Sequence, residues 1–535
     1  MRKHLALLLA LLLVVAALPL TGAVAAPAQE ITFALHNEPD GIDPSVTNNS
    51  FASPFLANCF EGLVTYDTTT GSLVGGDAES WTISDDGTVY TFTLRDGLKW
   101  SDGSPLTSQD YLYTFKRILT PATTAQYLSM LTDYIVGAQE YYDGTGTEDA
   151  LGIKAPDDKT LVITLKAATP YYIDILTMWT FSPVQKATVE TNGDKWTTSP
   201  DTYVCNGPFK ISEMNMGESV VLVKNPEYYD AAKVNLEKIT FRYITDMSTA
   251  LLAYESGEID GSRSFPSSDY ARLKAEDAGI VSVPSYGTVF YNFNCAKAPF
   301  DNVLVRKAFN LAVDRTSIID DVVQIPAEPA YSFIAPGYVV DGKDFVDGRS
   351  TFDLGPTANV EAAQAALAEA GYPNGEGFPE ITLSYYTNDT VKKVVEAMAE
   401  MLQTNLNIKV KISNEEWAIY YPNVQAGNYD LCAMGWSADY LHPMTFLPLL
   451  KTGDLNNLGK YSNPAYDALV EKAQSEVDPA AALATMQEAD NLASAEYPVL
   501  NLYYKANMML MKPTVQGYYL NASDMLYLKT AKVTE

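Results

Sequence analysis

The chain has 535 residues, of which 47% are hydrophobic and 11% aromatic. This composition supplies a full apolar core and excludes a disordered protein, and the length suggests about three domains. Acidic residues number 66 against 36 basic ones, so the formal net charge is −30. A diffuse negative field of this size disfavours nucleic acid and anionic membrane surfaces as partners, and it favours solubility.

The N-terminus predicts export. Residues 1–25 begin with Arg2 and Lys3, continue with an apolar run and end in a short-residue site before Ala26, which is the pattern of a cleavable signal peptide. Ala23 stands where a lipoprotein would carry cysteine, so no lipid anchor is expected. We therefore expect a periplasmic or secreted protein. No later segment has the length and hydropathy of a membrane span.

Strands and helices are mixed along the rest of the chain. Apolar or alternating runs predict strands at residues 89–94, 160–165, 219–223 and 239–243. A helix is expected to begin at Asp301 and to continue through Phe309 and Ala312. Asn359 is a good N-cap for a helix over residues 360–370 that stops at Gly371, and residues 390–406 form a further helix, followed by a strand at 408–412. This rhythm predicts α/β lobes with sheets covered by helices.

The segment Gly435-Trp436-Ser437-Ala438-Asp439-Tyr440 places one acid between aromatic rings. A carboxylate that is withdrawn from water is unfavourable unless it is paired, and the ammonium group of a ligand would be a suitable partner. The alternative is that Asp439 caps the helix or turn that begins near His442 and Pro443. The hexapeptide alone favours the capping role.

Motifs for catalysis and metal binding are scarce. The chain has no zinc-hydrolase, nucleophile-elbow or phosphate-loop signature. Beyond the signal peptide, His36 and His442 are the only histidines, and two imidazoles distant in sequence are poor evidence for a metal site. No cofactor is predicted. Four cysteines would meet an oxidising compartment, but their spacing does not separate the possible pairings: Cys59, Cys205, Cys295 and Cys432.

Several short segments, spread from Asn37 to about Lys529, share their order with one known family. They include Asn37-Glu38-Pro39, Phe60-Glu61-Gly62-Leu63, Ala78-Glu79-Ser80-Trp81, Lys99-Trp100-Ser101-Asp102-Gly103, Asn206-Gly207-Pro208-Phe209, Ser256-Gly257-Glu258-Ile259-Asp260 and Pro299-Phe300-Asp301-Asn302. In this order the chain resembles the oligopeptide-binding proteins of ABC importers, the cluster C solute-binding proteins. Each segment alone is weakly specific.

The resemblance implies a two-lobed, periplasmic-binding-protein-like α/β fold of type II, with an extra inserted domain and a hinge. Carried onto this chain, lobe I is split over residues 26–60, 184–286 and 504–535. The inserted domain II covers residues 61–183, and lobe III covers residues 287–503. The two crossings between lobes are expected near Tyr286-Gly287 and Tyr503-Tyr504.

The resemblance also implies a binding site. Asp439 would pair with the α-ammonium of a peptide, while strand addition would use the backbone of Gly435 to Ser437 on lobe III and of Asn48, Asn49 and Ser50 on lobe I. Tyr286, Trp417 and Trp436 would line side-chain pockets, and Tyr503 or Tyr504 would lie at the hinge edge. Ordinary core packing is the alternative for each aromatic residue.

Three departures from the family pattern bear on the ligand. Two positions at which relatives carry an arginine for the peptide carboxylate are Val424 and Ala433 here, so that carboxylate clamp is absent. Asn48 stands where relatives have a glutamate. The two positions of the family's best-known disulfide align with Gly287 and Ser437.

The sequence thus predicts a receptor, not an enzyme, which captures peptides between two lobes and delivers them to an ABC permease. It is expected to be a monomer whose partners are a peptide ligand and the membrane permease. Three alternatives remain open: a receptor for a nickel chelate, a secreted peptidase, and a sensory module that reports to a receptor.

Overall fold

The computed structural model describes residues 27–535 apart from Asp40, Asn49, Asp341, Gly348 and Leu455, and without the side chains of Asp389, Trp417 and Ala418. The predicted signal peptide, residues 1–25, and the candidate binding residue Asn49 therefore lie outside the described residues. In the described chain, no helix is both long and apolar enough to cross a membrane.

The strands are numbered in chain order. They are β1 Glu30–Leu35, β2 Val64–Tyr66, β3 Leu73–Gly75, β4 Ala78–Ile83, β5 Val89–Leu94, β6 Ile153–Lys154, β7 Thr160–Thr164, β8 Phe209–Asn215, β9 Ser219–Lys224, β10 Lys238–Tyr243, β11 Gly261–Ser262, β12 Ile280–Phe293, β13 Glu328–Pro329, β14 Val339–Val340, β15 Lys343–Asp344, β16 Ile381–Tyr386, β17 Val410–Glu415, β18 Leu431–Ser437, β19 Val499–Met511, β20 Val515–Gln516, β21 Tyr519–Leu520, β22 Leu526–Tyr527 and β23 Lys532–Val533.

The α-helices are numbered in the same way. They are α1 Ser53–Cys59, α2 Ser108–Ile118, α3 Ser129–Thr132, α4 Ala138–Tyr142, α5 Tyr172–Ile175, α6 Lys186–Asn192, α7 Met247–Ser256, α8 Tyr270–Ala275, α9 Val303–Leu311, α10 Arg315–Ser317, α11 Val360–Glu369, α12 Asp389–Leu406, α13 Trp417–Gln425, α14 Pro464–Ser475 and α15 Pro479–Glu496. The prediction of an α/β fold is confirmed.

One long sheet connects the two halves of the molecule. Its strand order is β17-β16-β18-β12-β19-β11-β1-β10-β9-β8, with β13 paired to β19. The two longest strands, β12 and β19, run through both halves as an antiparallel pair. Their register shifts between the pairs Pro284/Ala506 and Thr288/Tyr504. This irregularity lies where the sequence predicts the crossings between lobes, but the domain boundaries themselves stay a prediction.

Residues between β2 and α5 form a separate layer with a four-stranded sheet of order β4-β5-β7-β6. Tyr90, Phe92, Leu161 and Ile163 alternate inward from β5 and β7 and are fully buried. Helix α2 covers this sheet and carries a capping box, in which the Thr107 side chain and the Asp110 carboxylate bond reciprocally. This region corresponds to the predicted inserted domain.

The predicted helix starts follow the capping chemistry. Asn359 caps α11 by accepting from Ala362 N, as predicted, and Gly371 follows with a φ of 100°. The start predicted at Asp301 is wrong by one residue, because Asn302 is the cap of α9. The strand predicted at 408–412 is shifted to Val410–Glu415, since Asn407 ends α12 in the left-handed conformation and the next two residues connect the elements.

All four cysteines are free thiols, and Cys59, Cys205 and Cys432 are buried. Cys59 and Cys205 are neighbours in the core beneath α1, where a side-chain hydrogen bond and burial raise the pKa of the Cys59 thiol well above its usual value. The two residues that align with the family disulfide, Gly287 and Ser437, face each other directly on β12 and β18.

Candidate functional site

Asp439 lies two residues beyond the end of β18, at the point where the chain turns. Its backbone N–H donates to Thr445 Oγ1 at 3.1 Å. The following turn, the 3₁₀ helix Pro443–Thr445, is capped by His442, whose Nδ1 accepts from Met444 N at 3.3 Å. The alternative in which Asp439 is the cap is therefore wrong, because the imidazole already fills that position.

The Asp439 carboxylate is withdrawn from water without a charged partner. Burial raises its pKa to about 6, although a hydrogen bond from the Thr445 hydroxyl opposes the shift. No cationic side chain of the described residues forms an ion pair with it. Instead its charge raises the pKa of neighbouring phenols, and Tyr127 reaches about 12 through burial and this charge together. A cation that enters the site therefore stabilises such a carboxylate.

The carboxylate faces a cavity of about 210 Å³ between distant parts of the chain. Ser437 to Tyr440 supply one wall, and Tyr127 and Trp179 of the layer that corresponds to the inserted domain supply a second. A third wall combines Asn48 and Ser50 with residues 521–525 of the C-terminal segment. The cavity therefore lies where all three predicted domains meet.

Aromatic stacking holds Tyr440, one of the residues that line the cavity. The Tyr171 ring stacks on His442 with a centroid distance of 4.8 Å and on Tyr440 at 5.8 Å. Burial lowers the pKa of His442 to about 3, so the imidazole is neutral and adds no positive charge beside Asp439. Trp179 Nε1 donates to Thr47 O at 3.0 Å, which fixes the indole in the wall.

The β18 strand has a free edge next to Asp439. It pairs with β12 from Leu431 to Ser437 on one side. On the other side, the pairing to β16 covers only Leu431 and Cys432. In the described chain, Ala433 O accepts from the Tyr420 hydroxyl at 2.6 Å, and the stretch from Gly435 to Ser437 has no strand partner on that side and is open to an added strand. Gly435 and Ser437, two of the predicted contact residues, belong to this stretch.

Only some of the other predicted site residues line the cavity, and their role in ligand binding stays a prediction. Asn48 and Ser50 are exposed and line the cavity. Trp417 begins α13, and its side chain lies outside the described residues. Trp436 is half-buried in β18, and its buried indole N–H has no hydrogen-bond partner.

The three predicted tyrosines lie at the crossing strands, not in the cavity wall. The Tyr286 hydroxyl donates to Gly337 O at 2.8 Å, while its carbonyl accepts from Ala438 N at 2.7 Å. Tyr503 is buried in the core of the α9 and α12 half. Tyr504 is buried and its hydroxyl bonds the backbone of Ser332. Of the three, Tyr286 holds the segment that carries Asp439, through its bond to Ala438 N.

Two functional candidates were missed by the sequence analysis. Thr445 contacts Asp439 but has no local motif. Lys505 donates from Nζ to Ser437 Oγ at 2.9 Å. It lies in a tyrosine-rich strand in which no sequence pattern marks it as a binding residue. The two positions of the absent arginine clamp, Val424 and Ala433, are buried in apolar clusters, so neither faces the site.

Metal ligands do not gather in the described part of the chain. No group of three or more histidine, cysteine or acidic side chains there could hold a metal ion. His36 Nδ1 contacts Ser264 Oγ at 2.9 Å, and its ring packs against Phe51. His36 and His442 thus have separate contacts in the structure.

Comparison with known proteins gives the family. Residues 72–457 match the family model described as "Bacterial extracellular solute-binding proteins, family 5 Middle". The periplasmic murein peptide-binding protein MppA of Escherichia coli is 34% identical over 521 residues, which cover 96% of this chain and 95% of that protein. The chain therefore belongs to the family 5 extracellular solute-binding proteins.

Solved structures agree. The unliganded open form of the murein tripeptide-binding protein MppA superposes with a TM-score of 0.83 at 33% identity, covering 96% of this chain and 99% of that one. Haemophilus influenzae OppA in complex with the peptide RPPGFSPFR gives a TM-score of 0.72 at 32% identity, with 95% and 99% covered. The predicted two-lobed solute-binding fold is confirmed, and the family is one of receptors.

Proposed function

We propose that this protein is an extracytoplasmic receptor that captures peptides by their N-terminal ammonium group in the interlobe cavity and delivers them to an ABC permease. The proposal draws on the family and on relatives that are named for peptide binding, one of them solved with a peptide. The unpaired Asp439 carboxylate is the observation that carries it, because a buried acid without a cation is unfavourable in the empty protein.

The free edge of β18 supports capture without regard to sequence. An extended peptide that begins at Asp439 can bond to the main chain of Gly435 to Ser437 as an added strand. Main-chain bonds give affinity, while side chains of the ligand alternate away from the edge. Asn48 and Ser50 on the opposite wall offer polar contacts to the second edge of the peptide.

Hinge closure would couple capture to delivery. The strands β12 and β19 are shared by both halves and lose their regular register at residues 284–288, which is a suitable place for bending. The bound peptide bridges the two halves, and the closed form docks on the permease as a monomer. Export through the predicted signal peptide brings the receptor to the permease outside the cytoplasm.

A secreted peptidase is the rival from another class. Among the described residues, no group of three or more histidine, cysteine or acidic side chains could hold a metal ion for hydrolysis, whereas Asp439 has the environment of a binding carboxylate. A receptor returns its ligand intact. A peptidase would return fragments.

One experiment tests the proposal. The mature protein is incubated with a defined pool of peptides, half of them N-acetylated, and bound and free peptides are identified by native mass spectrometry. We expect bound, intact peptides with free amines, and Asp439→Asn should lose that selection. Cleaved peptides, or equal capture of acetylated and free forms, would overturn the proposal.

A further inference from the structure

Lys505 is a half-buried cation next to the candidate site, and among the described residues it has no charged partner. Its ammonium donates to Ser437 Oγ at 2.9 Å, and no carboxylate of the described residues forms an ion pair with it. Burial alone lowers the pKa of this lysine. Lys505 and Glu328 line a second cavity of about 180 Å³ beside the hinge, and their side chains form no ion pair there. A desolvated ammonium with one hydroxyl partner is unfavourable unless a second partner arrives.

The local backbone is shaped to let this side chain reach the site. Lys505 lies in β19, at the register shift opposite β12. A Cβ on Gly287 would lie 2.9 Å from Lys505 Cδ, so any larger residue there would force the lysine stem to move. A Cβ on Gly435 would lie 3.7 Å from Lys505 Nζ. Two glycines therefore leave room for the stem to cross β12 and end at Ser437.

Ser437 links the lysine to the peptide-binding edge. It lines the Asp439 cavity, is exposed, and belongs to the stretch of β18 whose outer edge is free. Asp439 follows two residues later, so the Cα atoms of Ser437 and Asp439 are at most about 7 Å apart. The site thus presents a carboxylate and an ammonium at a spacing of about two residues.

We propose that Lys505 recognises a carboxylate on the ligand, placed within the first three residues after the ammonium group bound by Asp439. This rests on the proposed function and narrows the ligand to peptides with an acidic group near the N-terminus. The carboxylate is either an acidic side chain or the C-terminus of a very short peptide. Lys505 would bind the ligand carboxylate here, whereas relatives with a carboxylate clamp bind it with arginines at the positions of Val424 and Ala433.

Calorimetry on the mature protein at pH 7.5 tests this with defined probes. Alanine tetrapeptides carry glutamate or glutamine at position 1, 2 or 3, and dialanine is compared with its C-terminal amide. We expect at least one acid to bind about tenfold or more tightly than its neutral partner, as a charged hydrogen bond implies. A difference in the tetrapeptides assigns the carboxylate to a side chain, and one in the dipeptides assigns it to the C-terminus.

Two variants separate recognition from a structural role. Lys505→Gln keeps a donor for Ser437 and removes the charge, so it should abolish the preference for the acid while leaving the neutral peptides near their wild-type affinity. Lys505→Arg should retain the preference. The role of Lys505 would be contradicted if each acidic peptide bound no more tightly than its neutral partner, or if the preference for the acid survived in Lys505→Gln. Either result would leave the proposed function standing. Failure of all free-amine peptides to bind would overturn the proposed function together with the role of Lys505.

Discussion

Two half-buried aspartates, Asp43 and Asp439, differ in the partners that the protein supplies for the carboxylate. Arg117 holds Asp43 through both oxygens, at 2.9 and 2.6 Å, and Trp196 Nε1 and Ser45 N add bonds at 2.9 and 3.0 Å. Asp439 has the Thr445 hydroxyl and no cation among the described residues. The protein itself supplies the cation for Asp43, whereas under the proposed function the cation for Asp439 is the ammonium group of a ligand.

Removing the partner of the satisfied carboxylate should have the largest effect. Arg117→Met leaves Asp43 buried without its cation, and we expect a loss of about 3 to 5 kcal/mol in the free energy of unfolding, measured by denaturant titration. The control is Lys99→Met, which breaks an exposed pair with Glu227 and should change stability by less than about 1 kcal/mol. Equal losses in both variants would remove the distinction between the two kinds of pair.

Neutralising the Asp439 carboxylate should have the opposite effect and raise the free energy of unfolding. In the empty protein the pKa of Asp439, about 6, lies above its unfolded value of about 3.9, so the ionised group destabilises the fold. Asp439→Asn should therefore raise the free energy of unfolding at pH 7.5 by about 3 kcal/mol.

That gain has a defined pH window. It should be complete above pH 6 and should vanish as the pH falls towards 4, where wild-type Asp439 is protonated in both states. Asp201→Asn, at an exposed position, is the control and should show no such gain. A destabilised Asp439→Asn at pH 7.5 would mean that the carboxylate already has a partner in the empty protein.

Ligand affinity should follow the same titration. Because the ammonium requires ionised Asp439, the affinity for a free-amine peptide should fall about tenfold between pH 7 and pH 5, and it should fall again above about pH 8 as the peptide amine loses its proton. Calorimetry across this range measures it. An affinity that is unchanged from pH 5 to pH 7 would argue against an ion pair at this site.

The smallest effect concerns the hydroxyl beside Asp439. Thr445→Val removes the bond that opposes the pKa shift, so it should weaken peptide binding by about 1 kcal/mol, roughly fivefold. Thr445→Ser keeps the hydroxyl and should bind like the wild type. If both variants lose affinity equally, packing rather than the hydroxyl supports the site.

Local patterns predicted much of the fold but less of the site. The caps at Asn359 and Asn302 and the apolar alternation in β5 are properties of neighbouring residues, so sequence reveals them to within about one residue. The resemblance to a family drew attention to Asp439. Three features of the site depend on residues brought together by the fold, which no local pattern encodes: the lack of a paired cation for Asp439 among the described residues, the contact from Thr445, and the reach of Lys505 across Gly287.

A double-mutant cycle tests the central claim most directly. Calorimetry compares one peptide with a free or acetylated N-terminus on the wild type and on Asp439→Asn. If Asp439 pairs with the ammonium, acetylation should weaken binding to the wild type at least about 100-fold and should hardly change binding to the variant, a coupling of about 3 kcal/mol. Equal losses on acetylation in the two proteins would contradict the account.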